Sequence, residues 1–285
     1  MFPASFEYAA PRSLDEAMSL LADHAEDAKV LAGGQSLIPL MKLRFAAPAL
    51  VVDINRIAGL NTLEEDDGAL RIGALVRTST LEHSSLLAER YPTLAAAAPL
   101  ISDPIVRNQG TLVGSVCHAD PQGDWASALL AYDAEVVARS SRGERNIAMA
   151  EFIDGPFTTT LQQDEIAVEV RVRAPTGTTT GTYLKLERKV GDFATVGVAV
   201  SLSMNGDTVE RAGIGLTGVG PTNLQAVDAE RSLIGQQLTD AAIDEAARLA
   251  ADACDPQSDI RGTADYKRHV VRVYVARGLG EARAR

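Results

Sequence analysis

Between Lys29 and Leu37 the chain reads Lys-Val-Leu-Ala-Gly-Gly-Gln-Ser-Leu, and this segment limits the possible folds more than any other. A short apolar strand, Ala28 to Ala32, runs into Gly33-Gly34-Gln35-Ser36. Leu37 to Leu43 then reads as a helix with Pro39 in its first turn, where proline is tolerated. A second buried strand, Ala49 to Ile54, follows. Strand, glycine turn, helix and strand make a small α/β unit, placed here over residues 1–57. Glycine lets the backbone approach a guest closely, and the N–H groups at a helix start favour an anion. A pyrophosphate is the natural guest. A plain strand–turn–helix capped by Ser36 would give the same pattern.

Asp53 stands 20 residues after Gly33, a spacing at which dinucleotide folds place a ribose-binding acid. The glycine pattern does not fit, because Gly33-Gly34-Gln35-Ser36-Leu37-Ile38 is not G-x-G-x-x-G. Alternating βαβ units are also missing downstream. Asp53 is therefore expected to be a strand-end turn residue.

The rest of the chain has a different texture. Ser13 followed by Glu16 is a capping box, opening a helix with apolar Leu14, Ala17, Met18 and Leu21. Further helices are expected at Thr80–Glu89, Tyr91–Pro99 and Trp125–Tyr132, and strands at Ala69–Ala74, Ala134–Ala138 and Glu165–Val172. The polar run Ala174–Gly181 reads as a loop and a domain boundary. Strands at Thr182–Glu187, Val196–Met204 and Val209–Leu216 follow, the last two around a turn at Asn205-Gly206. Helices at Ala226–Ile234, Asp240–Asp252 and Asp265–Ala276 close the chain. The plan is α+β, with a second lobe at 58–176 and a C-terminal domain at 177–285.

Two more segments carry polar chemistry. Arg107 to Asp124 gathers Gly, Thr, Ser, Asn, His and Asp between apolar helices, and reads either as a long surface loop or as a ligand loop. His118 has only Cys117 beside it as a further ligand type, so neither a metal site nor a Cys–His dyad is expected. Tyr183 to Thr195 places Lys185 and Arg188 near Asp192 and Phe193. Taken alone it reads as a solvated strand face.

Charge and cysteines narrow the function. The net charge of −11 argues against nucleic acid and anionic membrane as partners, since both need a basic face. Two cysteines, Cys117 and Cys254, cannot hold a [2Fe–2S] cluster or a Cys-rich zinc site. They also give no disulfide framework, which fits a reducing cytoplasm. The N-terminus lacks the pattern of a signal peptide, and the apolar stretches are too short to cross a bilayer. A soluble cytoplasmic protein is expected.

Together the three polar segments resemble a known family. Ala32-Gly33-Gly34-Gln35-Ser36, continuing to Arg44, looks like the first flavin motif of the FAD-binding medium subunits of molybdenum hydroxylases of the carbon monoxide and xanthine dehydrogenase type. Thr111-Leu112-Val113-Gly114-Ser115, with His118-Ala119-Asp120-Pro121 and Asp124, resembles their second motif, T-I-G-G-[NS]. Lys185 to Ala194 resembles their Lys…Arg…Asp-[FY]-Ala run, and Ile214–Thr222 and Tyr266–His269 resemble parts of their C-terminal domain. The likeness runs in order from Phe6 to Leu279.

The resemblance implies a two-lobed FAD-binding domain of the vanillyl-alcohol-oxidase type, followed by a small antiparallel sheet with a helical bundle. It implies that Lys29, Val30, Leu31, Ala32, Gly33, Gly34, Gln35, Ser36 and Leu37 wrap the pyrophosphate. Thr111, Gly114 and Ser115 would reach the cofactor from the other lobe. Ile101 and Phe193 would pack on it, Ala167 would touch it through backbone, and Asp120 and Asp124 would supply acids. Lys185 would stand near the ring's pyrimidine side, where a cation stabilises reduced flavin. It implies partners too: a large molybdopterin-binding subunit and a small [2Fe–2S] subunit, assembled as a dimer of heterotrimers. A self-contained flavin oxidoreductase of this fold and a scaffold subunit without FAD are the rival readings. Val113 departs from the motif by standing where a glycine is usual. That is costly if the site needs φ > 0 and harmless if the backbone is regular.

Overall fold

The computed structural model describes residues 2–175 and 177–284. The expected domain limits at Met1, Thr176 and Arg285 lie outside the described residues.

The N-terminal part is built on a parallel three-stranded sheet with Leu50–Asp53 in the centre, between Glu7–Ala9 and Ala28–Leu31. Leu50, Val51 and Val52 are buried, as an apolar run in a covered parallel strand should be. The Leu14–His24 helix packs Ala17, Met18 and Leu21 against this sheet. Its Ser13 hydroxyl accepts from the Glu16 N–H at 3.2 Å, while the Glu16 carboxylate takes the Arg12 N–H at 3.0 Å. The Leu37–Leu43 helix has the expected bounds.

Next comes a five-stranded antiparallel sheet in the order Leu63–Asp66, Ala69–Gly73, Ile166–Arg173, Glu135–Ser140 and Gly143–Ala148. Both edge strands went unread in the sequence. They are polar, Leu63–Asp66 half-exposed and Gly143–Ala148 exposed at five of its six positions, so neither carries an apolar alternation. The expected Thr80–Glu89 helix is two helices, Thr78–Glu82 and Ser85–Arg90, because the Ser84 hydroxyl accepts from the Leu87 N–H and starts a new turn. The 101–124 stretch is not a long loop. It holds the Pro104–Gln109 and Leu112–His118 helices, capped by Asp103 and Thr111. Each cap side chain accepts from the N–H three residues on, at 2.8 and 3.1 Å.

The last part is a four-stranded antiparallel sheet, Thr178–Leu186, Val196–Asn205, Thr208–Thr217 and Leu224–Gln225. Strand already begins at Thr178, inside the run expected to be loop, and the hairpin turn is Gly206-Asp207. Alternation divides this sheet's faces. Val196, Val198, Val200 and Leu202 join the cluster formed with the helices Val227–Leu233, Asp240–Asp252 and Ala264–Arg283. The last helix outruns the expected Asp265–Ala276 because Gly278 does not stop it. A Cβ there would lie 3.0 Å from Val200 Cγ2, so the missing side chain lets helix and strand pack closely.

The opposite face of that sheet receives the Asp124–Leu130 helix, all seven of whose residues are buried. Gly213 and Gly215 lie under it, and a Cβ on either would run into the carbonyl groups of Ala131 and Ser127. Among the described residues no helix is long and apolar enough to cross a membrane.

Candidate functional site

The loop after Ala28–Leu31 meets the loop that opens the Leu112–His118 helix. Gly33 lies flat against the Gln109–Gly110 backbone, where any side chain would collide with the Gln109 carbonyl. Gly34 holds φ +74°, a left-handed conformation that a side chain would strain. The two neighbouring glycines therefore have separate causes. Ser36 forms no capping bond to its helix, so it is not the cap that a plain strand–turn–helix would use. Val30 and Ala32 pack on the core, while Lys29 is exposed on its strand.

In the second loop the Thr111 side chain accepts from the Gly114 N–H at 3.1 Å. A Cβ on Gly114 would lie 2.7 Å from that hydroxyl and 4.0 Å from the Ala32 methyl, which puts Gly114 at the junction with the first loop. Val113 is an ordinary helical residue, 2 % exposed, with its side chain in the core. The departure from the motif costs nothing here, because the backbone is regular and the side chain faces away from the loops. Ser115 follows within the same helix, one turn from Thr111, to whose carbonyl its N–H donates at 3.1 Å. The Asp120 carboxylate accepts from the Gln122 N–H at 2.9 Å and shapes the turn before Gly123. The Leu112–His118 helix packs on the Ile166–Arg173 strand, which carries an irregularity between Ala167 and Glu169.

A buried polar cluster lies at the base of the Asp124–Leu130 helix. The Lys185 ammonium donates to Asp124 Oδ2 and to the Leu100 carbonyl, both at 2.9 Å, with Glu187 at 3.5 Å. The side chains of Lys185 and Asp124 are 2 % and 6 % exposed. The Tyr183 hydroxyl donates to Asp124 Oδ1 at 2.8 Å. Burial pushes the Asp124 carboxyl up, against the pull of Lys185 and Tyr183. Lys185 is thus no free cation, since two carboxylates of this chain answer its charge. It also fixes the backbone one residue before Ile101. Arg107 completes that anchor, donating to the Ile101 and Ser102 carbonyls at 3.1 Å and to Glu82 at 2.7 Å.

Phe193 is 49 % exposed, and the Arg261 guanidinium, from the C-terminal part, donates to its carbonyl at 2.9 Å. His118 leans on Phe157 with ring centroids 5.2 Å apart, and burial lowers its pKa. Apolar surroundings push the Cys117 thiol up to about 12, leaving a thiol rather than a nucleophilic thiolate at neutral pH. Sequence reasoning assigned no role to Asn55, Arg77, Arg107 or Arg261. Each acts through a partner 22 or more residues away or through a carbonyl group, and neither leaves a local pattern. Asp53 is the turn residue expected of it: its carboxylate accepts from the Asn55 N–H at 2.9 Å and from the Tyr8 hydroxyl at 2.6 Å.

Known proteins sharpen this picture. The family described as FAD binding domain in molybdopterin dehydrogenase matches residues 4–175, and the CO dehydrogenase flavoprotein C-terminal domain matches residues 181–282. The carbon monoxide dehydrogenase medium chain of Hydrogenophaga pseudoflava is 42 % identical over 285 residues, covering 100 % of this chain and 99 % of that one. This chain belongs to the FAD-binding medium subunits of the molybdenum hydroxylases. The medium subunit is also 38 % identical to the 6-hydroxypseudooxynicotine dehydrogenase complex subunit alpha of Paenarthrobacter nicotinovorans, over 99 % of this chain and 96 % of that one. A chain of the carbon monoxide dehydrogenase structure from H. pseudoflava superposes with a TM-score of 0.96 at 43 % identity, covering 100 % and 99 % of the two chains.

The medium subunit is thus a flavoprotein subunit of an oxidoreductase, and its cofactor is FAD. The two loops suit that guest chemically. Ala32 to Leu37 contains no acid, offers glycine backbone and a serine hydroxyl, and packs on the Gln109–Gly110 backbone with Gly114 beside Ala32. A neutral, donor-rich junction between two helix starts fits an anionic pyrophosphate.

Proposed function

We propose that the medium subunit carries electrons between two partners of a three-subunit molybdenum hydroxylase and an external acceptor. Substrate is oxidised at a molybdenum–pterin centre of a large subunit, and a small subunit delivers electrons through two [2Fe–2S] clusters. FAD, when bound, supplies the redox chemistry that links the clusters to the acceptor. The assembly is a dimer of heterotrimers working in the cytoplasm. The packing of Gly33 on the Gln109–Gly110 backbone and of Gly114 beside Ala32, which joins the first loop to the start of the Leu112–His118 helix, carries this reading. The cysteine count supports it, since two thiols leave the iron–sulfur wiring to another chain.

The chain's own residues have separate tasks in this reading. Lys29 to Leu37 holds the pyrophosphate, with Ser36 donating its hydroxyl. Thr111, Gly114 and Ser115 close over it from residues 58–176, the second lobe. Asp124, fixed by Lys185 and Tyr183, presents a buried carboxylate at the boundary with the domain at 177–285. Ile101, anchored by Arg107, and Phe193, anchored by Arg261, supply apolar contacts, while Asp120 shapes the turn before Asp124 and Ala167 offers backbone. The purified chain, alone or with its partners, is expected to release FAD on denaturation and to show flavin absorbance bands. Stoichiometric NAD, or no flavin at all, overturns the reading. Co-purification with two further chains tests the assembly.

A further inference from the structure

We infer that Asn55 and Arg77 are positioning residues: a two-residue relay that sets the spacing and orientation of the two FAD loops. This inference rests on the reading of those loops as the pyrophosphate site. Asn55 Nδ2 donates to the Ala32 carbonyl at 2.8 Å, on the first loop. Arg77 Nη2 donates to Asn55 Oδ1 at 2.7 Å, and Arg77 Nη1 donates to the Gln109 carbonyl at 2.5 Å, on the second. Backbone bonds strengthen the far end. The Thr78 N–H donates to the Gly110 carbonyl at 2.9 Å, and Arg77 pairs with Thr111 across an isolated bridge. One unbroken path of hydrogen bonds therefore joins Ala32 to Gln109.

The residue types are the ones this geometry requires. Asn55 Nδ2 also donates to Asp53 Oδ1 at 2.6 Å, so both amide hydrogens are engaged and the amide oxygen is left to face Arg77. A flipped amide would oppose its oxygen to the Ala32 carbonyl and the Asp53 carboxylate, and its N–H groups to the guanidinium. The amide orientation is thus forced, and Tyr8 holds Asp53 in turn. Arg77 needs a fork to reach an amide oxygen on one side and a carbonyl on the other, which a lysine cannot supply. The consequence lies at the peptide between Ala32 and Gly33. In a trans peptide the C=O and N–H point opposite ways. Asn55 draws the Ala32 carbonyl toward itself and so aims the Gly33 N–H away from Asn55. Gly33 already touches the Gln109–Gly110 backbone, so a relaxed relay lets the loops slide at that contact.

The test uses the full chain stripped of flavin, titrated with FAD and followed by flavin fluorescence, with the melting temperature of the stripped chain measured alongside. Asn55→Ala and Arg77→Met are each expected to weaken FAD binding about tenfold. The double variant is expected to be no weaker than the worse single one, because both residues serve one path. Arg77→Lys is expected to fall between Arg77→Met and wild type. A merely structural role would lower the melting temperature and leave FAD affinity per folded molecule unchanged. Wild-type affinity in Asn55→Ala overturns the relay, and so do losses that multiply in the double variant, which would mean that Arg77 acts without Asn55. If Arg77→Met does not fold, Asn55→Ala decides alone, since Asn55 is an exposed side chain. A wild-type chain that binds no FAD would instead overturn the proposed function.

Discussion

Glycines do different work in two regions of the molecule. Under the Asp124–Leu130 helix, Gly213 and Gly215 exist to let a sheet touch a helix backbone, with no ligand involved. At the loop junction, Gly33 does the same job between two loops, Gly34 meets a left-handed turn, and Gly114 leaves room for a capping hydroxyl. A glycine motif is therefore poor evidence of a ligand by itself. What separates the regions is their surroundings. The sheet glycines lie beneath a fully buried helix, whereas the loop glycines border a serine that caps nothing and two helix starts.

The largest effect is expected where backbone meets backbone. Gly215→Val should cost at least about 3 kcal/mol, seen as a large fall in melting temperature or loss of folded protein. A mild effect would mean that the sheet and helix can part easily. Val113→Gly follows, at about 2–3 kcal/mol, because it empties a core position and weakens a helix. It restores the usual glycine of the motif, yet FAD affinity should not rise, and tighter binding would show that the position does face the cofactor. Gly34→Ala should cost about 1–2 kcal/mol in the stripped chain through its positive φ, with a larger loss of FAD retention. Equal losses would make Gly34 a purely structural glycine.

The smallest expected effect lies far from the loops. Glu230 accepts from the Ile214 N–H at 2.7 Å, and burial pushes its carboxyl up to about 7. The folded state therefore prefers the protonated form. Its contribution is fully present below pH about 4.5 and is lost as pH rises through about 7. Glu230→Gln should gain on wild type between pH 5 and 8, by on the order of 1 kcal/mol in thermal melts. A constant difference across that range would refute the shift.

Much of the fold was legible because its signals are local. The Leu37–Leu43 and Asp240–Asp252 helices have the bounds expected from the sequence. The Leu63–Asp66 and Gly143–Ala148 strands were not legible, since a polar edge strand owes its state to the neighbour it pairs with. The Leu112–His118 helix was hidden because its glycine and serine read as loop until the Thr111 cap is seen. The proposed flavin loops could be picked out only through a resemblance to a family. The residues that tie them could not. Asn55 and Arg77 act by reaching backbone carbonyl oxygens, which every residue owns, so no partner type stands out in the sequence.

The Asp124–Leu130 helix has a consequence for the chain as a polymer. Its apolar side chains pack in the core shared with the three- and five-stranded sheets, and its backbone lies on the glycines of the C-terminal sheet. A protease cutting in the polar run after Arg173 would break covalent continuity without removing that contact. Two separately expressed pieces, ending and starting near Gly177, should find each other and co-elute, the helix serving as the plug that one fragment carries for the other.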